Sequence, residues 1–294
     1  MRATVDATPI VRSLLAWSTA ALRDLPWRRT RDPWSVLVSE TMLQQTQVPR
    51  VLPRYRAFLD RFPTVTSCAN ASVAEAIELW HGLGYNRRAV NLHRAAVVCR
   101  DQHGGRIPDD LEALLALPGV GPYTARAVLA FAHEQDVGVV DTNIGRVLAR
   151  AVAGRPLGAR EAQSLADELV PPGEGWRWNQ SLMELGALVC SKRSPDCAAC
   201  PIVEACAWAR AGHPSPDPAA GSAGVSQPQM AFDGSDRQGR GRLVAALRDG
   251  PVGVEDVADV MGWSSDPERA DRVAAGVVAD GLATVADGVL TLPR

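Results

Sequence analysis

Two carboxylates stand in apolar surroundings. Glu40 lies within Val36-Leu37-Val38-Ser39-Glu40-Thr41-Met42-Leu43, and Asp141 follows Val137-Gly138-Val139-Val140. Two acids in such settings suit cleavage of a glycosidic bond. One can be held protonated to serve the leaving group, and the other can stay ionised to steady an oxocarbenium-like centre. Each also has a plainer reading: Asp141 as the N-cap of a helix through Asn143 and Ile144, Glu40 as a surface acid or a satisfied buried one.

Four cysteines form a second group. Cys190, Cys197, Cys200 and Cys206 follow the pattern C-x6-C-x2-C-x5-C. Four thiolates so close in sequence can surround one metal centre, and both zinc and a [4Fe–4S] cluster accept four cysteines. There is one close pair and the outer spacings are long, which favours the bulkier cube. Lys192 and Arg193 in the first loop could present positive charge to phosphates. Cys68 and Cys99 are isolated in amphipathic helical sequence and read as small buried apolar residues. This usage suits a reducing compartment better than disulfides do. Lys192 is also the sole lysine among 31 basic residues, which excludes lysine-amine chemistry elsewhere in the chain.

A third pattern runs from Leu114 to Arg126, around Pro118-Gly119-Val120-Gly121-Pro122. An apolar segment enters a hairpin that opens a second helix, with Pro122 in its first turn, where a missing N–H costs nothing. Gly119 and Gly121 let the backbone approach a ligand, and the helix start offers free N–H groups at its positive end. A phosphate fits that description. So does a tight turn with no ligand.

These groups need a scaffold, and the periodicity supplies helices. The spacing predicts them over 9–21, 33–46, 48–62, 72–80, 86–102, on both sides of the hairpin, and over 143–153, 159–169 and 176–190. Asp32 caps the second of these. Leu25 to Arg29 reads as an extended link. No strand is expected before residue 211. Residues 211–230 are rich in Pro, Ala, Gly and Ser and read as a linker. Beyond it, three short helices over 237–248, 254–262 and 267–280 precede two strands flanking Asp287-Gly288, a hairpin signal. Three helices and a wing describe a small winged-helix-like domain.

A chain of 294 residues holds two or three domains. Its net charge of −2 is unevenly placed: residues 1–210 carry +3 and residues 211–294 carry −5. The acidic tail argues for a packing or protein-contact module over ordinary major-groove binding. No apolar run is long enough for a bilayer, and residues 1–8 carry no signal-peptide pattern, so a soluble, cytoplasmic protein is expected.

Several stretches together resemble a known family. They are Leu25-Pro26-Trp27-Arg28, Ser39-Glu40-Thr41-Met42-Leu43-Gln44-Gln45-Thr46-Gln47-Val48, Arg61-Phe62-Pro63-Thr64, Gly82-Leu83-Gly84-Tyr85, Asn91-Leu92-His93, Leu117-Pro118-Gly119-Val120-Gly121 and the four cysteines. The chain is similar to the helix-hairpin-helix DNA glycosylases of the endonuclease III superfamily, most closely the MutY-type adenine DNA glycosylases, over about residues 14–208.

The resemblance implies a mainly α, two-lobed fold. A six-helix barrel with the helix-hairpin-helix would take residues 31–135, and a cluster domain residues 1–30 and 136–210. A linker (211–235) and the winged-helix-like domain (236–294) would follow. It implies one [4Fe–4S] cluster on Cys190, Cys197, Cys200 and Cys206. Glu40 would protonate N7 of a flipped adenine and later activate water, and Asp141 would stabilise the cationic sugar. Tyr123 and Asn143 would line the same pocket, Gln180 would touch the base, and Trp27 and Arg28 would help shape the pocket. Gln45 and Tyr85 would wedge into the duplex opposite the flipped base, Gln44 and Leu83 in the same motifs would contact DNA, and Gly119 and Gly121 would hold a phosphate.

The implied partner is double-stranded DNA with adenine mispaired with 8-oxoguanine or guanine, and the protein is expected to act as a monomer without membrane contact. Tyr123 stands where the endonuclease III type has the lysine used for strand cleavage, so a monofunctional glycosylase is expected. Two features depart from the family. Thr142 replaces its usual glycine, and the tail is too short for the Nudix-like domain that reads 8-oxoguanine in many members. The Phe232–Arg242 segment, with Arg237, Arg240 and Arg242, is a candidate for the opposite strand; another protein is the other candidate partner of the tail. The competing readings are a same-fold glycosylase for G:T mismatches or oxidised pyrimidines, which would not need an acid at Glu40, and a non-enzymatic iron–sulfur DNA-binding protein.

Overall fold

The computed structural model describes residues 8–222 and 231–293. The chain divides into two compact units. One takes its described residues from Met1–Val36, Asp109–Leu111 and Gly121–Gln227, the other from Leu37–Pro108, Glu112–Val120 and Pro228–Arg294. Among the described residues no helix is long and apolar enough to cross a membrane.

The first unit is built on helices Thr8–Ala21, Pro122–Phe131, Thr142–Val147, Ala159–Glu168 and Gly175–Leu188. Gly175–Leu188 packs against Thr8–Ala21 and Thr142–Val147 and carries the buried residues Trp178, Leu182 and Leu185. The 143–153 helix is interrupted: Thr142–Val147 is α-helical, and Leu148–Ala153 widens into a π-helix that ends at Gly154 in the left-handed region. Such π turns rotate the following side chains away from an α register. Pro26–Arg28 is a short 3-10 turn, not an extended link; the fixed φ of Pro26 suits its first position.

The stretch read as a linker begins as a docked strap. Ala219 and Ser222 are buried, and Ser222 Oγ accepts from the Leu157 N–H at 3.1 Å. Asp217 pairs with Arg150. Small residues pack closely against a neighbouring surface as readily as they make a flexible chain. Residues 223–230 lie outside the described residues.

The second unit begins within Pro33–Leu43, whose residues Val36 to Met42 are all buried. Asp32 caps that helix, accepting from the Ser35 N–H at 2.8 Å. Helices Val48–Arg61, Val65–Ala69, Val73–Leu79 and Arg87–Gln102 follow. Two of them start with reciprocal capping boxes, Thr64 with Ser67 and Ser72 with Glu75. Phe58, Phe62 and Trp80 meet edge to face in the core of this unit. Cys68 and Cys99 are buried.

The C-terminal part holds helices Asp236–Asp249, Val257–Met261 and Pro267–Ala279. Thr284–Ala286 and Val289–Thr291 pair across Asp287-Gly288, and a third strand, Val252–Gly253, joins the other edge of Val289–Thr291. Two residues are too few for a periodic signal, so that strand leaves no trace in the sequence; the helix expected over 254–262 starts as a 3-10 turn, Val254–Asp256, and is α-helical only over Val257–Met261. This part sits on the other helices of its unit. Arg248 donates to the Ile77 carbonyl at 3.1 Å, Arg87 and Arg240 both pair with Asp280, and the Ala74 N–H donates to the Pro293 carbonyl at 3.0 Å.

Candidate active site

In the first unit, Asp141 ends an extended segment clamped by neighbouring helices. Asn179 accepts from the Val139 N–H and donates to the Val137 carbonyl, both at 2.9 Å. Asp167 accepts from the Gly138 N–H at 2.8 Å. A Cβ on Gly138 would fall 2.4 Å from the Ala166 carbonyl carbon, so only glycine permits this approach. The chain then turns into Thr142–Val147 with Asp141 as N-cap. Its Oδ1 accepts from the N–H groups of Asn143 (2.9 Å) and Ile144 (2.7 Å), and its Oδ2 from Asn143 Nδ2 (3.0 Å). Burial pushes the Asp141 carboxyl above the usual carboxylate range; these donors and the charge of Arg146 pull it back without cancelling the rise.

Asn143 is itself held. Its Oδ1 accepts from Arg146 Nη2 at 2.8 Å, and buried Arg146 also donates to the carbonyls of Gly186 (2.5 Å) and Cys190 (2.6 Å). Gly186 admits this packing, since a Cβ there would lie 2.6 Å from Asn143 Cβ. A continuous polar chain thus joins the Asp141 carboxylate to the backbone of the first cysteine.

A second cluster in this unit gathers Arg28 and Gln180. Arg28 Nε donates to Gln180 Oε1 at 2.7 Å, and its Nη2 to Glu184 Oε2 at 2.9 Å. Glu184 is fully buried and also receives Arg23 through Nε and Nη2. Burial opposes ionisation of Glu184, but the two arginines hold its pKa at about 2. Trp27 is buried beside Arg28 in the same turn. Tyr123 is half-buried in the first turn of Pro122–Phe131.

Cys190, Cys197, Cys200 and Cys206 line one pocket, walled by Val147, Leu185, Ile202 and Trp208. Among the described residues no three Cys, His, Asp or Glu side chains are grouped so as to hold a single metal ion. Four thiols around one pocket are a donor set that a [4Fe–4S] cluster takes, so the residues present fit the cluster the resemblance implies. Arg150 braces the site from the π-helix. It donates to Cys190 Sγ at 3.4 Å and to the carbonyls of Ser191 and Lys192, and pairs with Asp217. Burial raises the Cys200 thiol to about 11, with the neighbouring cysteines adding to the rise.

In the second unit, Glu40 is only 5% exposed on a helix buried on all sides. Leu83 is buried, Gln44 is half-buried, and Gln45 and Tyr85 are exposed. The hairpin turn needs Gly119 twice over: its φ is +77°, and a Cβ would lie 2.6 Å from Asn91 Cβ. In the first unit, a Cβ on Gly121, which precedes Pro122 as N-cap without a side-chain cap, would meet nothing within 4 Å.

The HhH-GPD family model, "HhH-GPD superfamily base excision DNA repair protein", matches residues 38–172. An adenine DNA glycosylase of Mycolicibacterium smegmatis is 44% identical over 284 residues, covering 95% of this chain and 94% of the relative. The chain belongs to the adenine DNA glycosylase family of the HhH-GPD superfamily. As a member it is a DNA glycosylase, a base excision repair enzyme that hydrolyses an N-glycosidic bond. The human adenine DNA glycosylase is 41% identical over 219 residues, covering 70% of this chain and 40% of its own length. The likeness to the mycobacterial glycosylase therefore extends into the tail. Among solved structures, a thermostable thymine-DNA glycosylase matches with a TM-score of 0.64 at 30% identity, covering 70% of this chain and all of the other. An endonuclease III–DNA complex matches with a TM-score of 0.61 at 21% identity, covering 72% and 100%, and shows the shared fold.

Sequence reasoning did not single out Arg88, Arg146, Arg150 or Glu184 in this glycosylase. For Glu184 a signal existed: it lies four residues after Gln180 on one helix, so both face the same way.

Proposed function

We propose that this glycosylase removes adenine mispaired with 8-oxoguanine or guanine, leaving the strand intact. Glu40 donates its proton to N7 of the extruded adenine. The bond between N9 and C1′ then breaks, and its electron pair leaves with the base. Asp141, ionised, stabilises the resulting oxocarbenium ion. Water adds to C1′ and returns its proton to the Glu40 carboxylate. Asn143 orients Asp141, while Arg28 and Gln180, joined at 2.7 Å, form a polar wall for the base with Trp27 and Tyr123. Gln45 and Tyr85, both exposed, enter the duplex to fill the gap that extrusion leaves, a step costing a few kcal/mol in unstacking, while half-buried Gln44 and buried Leu83 support them from the same turns. Gly119 and Gly121 seat a backbone phosphate.

The observation that carries this reading is the arrangement at Asp141. Both carboxylate oxygens are fixed, at the mouth of a helix, by a network running to a cysteine loop. Surface caps have no such backing. Cys190, Cys197, Cys200 and Cys206 would hold a [4Fe–4S] cluster, which when bound ties down the loop bearing Lys192 and Arg193 for phosphate contact. The sole lysine lies in that loop, which supports the absence of Schiff-base strand cleavage.

Reading of the opposite base falls to the tail. Phe232 is 57% exposed, Arg237 stacks on it at 5.9 Å, and Arg237 Nη1 lies 3.1 Å from the Tyr85 hydroxyl. Arg240 is paired with Asp280 and Arg242 with the Met261 carbonyl. The proposed contact centres on Arg237 and Phe232, which adjoin Tyr85, the residue proposed to enter the duplex.

The test is incubation with duplexes containing A:8-oxoG, A:G and T:G, before and after alkali. Free adenine, with breaks only after alkali, is the expected result, and Glu40→Gln should bind without cleaving. The thymine-DNA glycosylase neighbour makes thymine the competing product. Thymine release, or no base release, overturns the proposal. Arg237→Ala should reduce the preference for A:8-oxoG over A:G; an unchanged preference removes Arg237 from the reading of the opposite base.

A further inference from the structure

Arg88 is the second residue of helix Arg87–Gln102, and its side chain is nearly sealed from water. A buried guanidinium must find acceptors for its donors. Arg88 finds them on two separate turns of the chain. Nη1 donates to the carbonyls of Thr41 (2.8 Å), Met42 (3.0 Å) and Gln44 (2.7 Å), where Pro33–Leu43 ends. Nη2 donates to Thr46 Oγ1 (3.0 Å) and, on the second turn, to the carbonyls of Leu83 (3.3 Å) and Gly84 (3.0 Å). The guanidinium carbon also lies 5.3 Å from the ring centroid of Trp80 and 5.6 Å from that of Tyr85.

The two turns carry Gln45 and Tyr85. Both residues hold positive φ, 56° and 47°, a conformation that residues with side chains rarely adopt and that persists only where the surroundings enforce it. Arg88 bonds to the backbone immediately before each of them. Thr46 Oγ1, itself 3.3 Å from the Leu83 carbonyl, closes the link between the turns. Burial lowers the Arg88 pKa to about 10, which leaves it cationic at neutral pH and well placed against the negative end of Pro33–Leu43.

We propose that Arg88 is the positioning residue for base extrusion: one guanidinium sets the Gln44–Thr46 and Leu83–Tyr85 turns in register, so that Gln45 and Tyr85 meet the duplex as one wedge. This rests on the wedge reading of Gln45 and Tyr85 given above. A planar fork with donors on both arms can serve two turns at once, whereas a lysine ammonium is a point charge that cannot span them.

The test separates extrusion from chemistry. Single-turnover adenine release is measured on an A:8-oxoG duplex and on a duplex in which the adenine lies opposite a tetrahydrofuran gap, where extrusion is cheap. Arg88→Lys should lose roughly ten- to a hundredfold on the paired substrate, the scale of a misplaced positioning group, and keep near wild-type release on the gapped one. A 2-aminopurine beside the target should report less unstacking. Thr46→Val, which removes one acceptor at a half-buried site, should shift the same ratio less, and it carries the test if Arg88→Lys does not fold. Equal losses on both substrates, or none on either, overturn the proposal. Gln45→Ala and Tyr85→Ala serve as controls. If they leave the ratio unchanged the wedge reading itself fails; if they change it and the Arg88 and Thr46 variants do not, only the role of Arg88 fails.

Discussion

Arg146 Nε lies 2.6 Å from the carbonyl oxygen of Cys190, and through the same guanidinium the cysteine loop is tied to Asn143. The carboxylate proposed to stabilise the sugar cation and the loop proposed to hold the cluster are thus two ends of one hydrogen-bond chain. Burial lowers the Arg146 pKa from its ordinary value, and the nearby carboxylates of Asp141 and Asp217 oppose the drop.

Arg146→Gln should therefore reduce single-turnover adenine release by roughly a hundredfold, since Asn143 loses its orientation and Asp141 the fixed position of one oxygen. DNA affinity should change much less, because neither residue is proposed to contact phosphate. Arg146→Lys should recover only part of the rate. A variant that loses affinity and rate in equal measure would place Arg146 in binding instead.

Glu184 gives a stability test with a defined pH window. Its folded-state pKa is about 2 against an ordinary 4.5, so its contribution is fully present above pH 4.5 and disappears as pH falls towards 2. Glu184→Gln should cost on the order of 2 kcal/mol at neutral pH, less than the full shift because Arg23 is partly exposed to solvent. Thermal unfolding of both proteins from pH 7 to pH 2.5 checks this: the gap should narrow below pH 4.5. A gap constant with pH would mean that the ion pairs contribute nothing beyond packing.

The contrast between Glu184 and Asp141 shows how far the sequence could be read. Asp141 announces itself through its local context, an apolar run before it and N–H donors two and three residues after it, so its cap was legible. The cysteines were legible through spacing, and the buried Cys68 and Cys99 through helical periodicity. The arginines were not. All but one of the basic residues are arginine, so residue type cannot tell Arg88 or Arg146, which are buried, from surface arginines such as Arg29. What distinguishes them is a set of carbonyls from distant segments, and no local pattern encodes that. The docked strap around Asp217 failed for the same reason: its partner Arg150 is 67 residues away.

The raised pKa of Asp141 fixes the direction of a pH effect on catalysis. The carboxylate must be ionised to stabilise the sugar cation, so activity should fall as pH drops through its pKa. Because burial raises that pKa, the acid limb of the single-turnover pH profile should lie above the usual carboxylate range. An acid limb below that range would assign the essential ionisation to another group.

The hairpin offers a pair of substitutions with opposite signatures. Gly119 sits at φ +77° with Asn91 Cβ 2.6 Å from where its own Cβ would be, so Gly119→Ala should destabilise the protein by roughly 1–2 kcal/mol from the backbone alone. Gly121 is not left-handed, and a methyl there meets no protein atom within 4 Å, so Gly121→Ala should lower the melting temperature only by the modest cost of alanine over glycine at an N-cap. If a phosphate lies against the open N–H groups at this helix start, that methyl occupies its approach. Gly121→Ala should then weaken DNA binding and flatten its salt dependence, because one backbone contact is lost. Wild-type affinity and salt slope in a stable Gly121→Ala protein would leave the hairpin as a turn without a ligand.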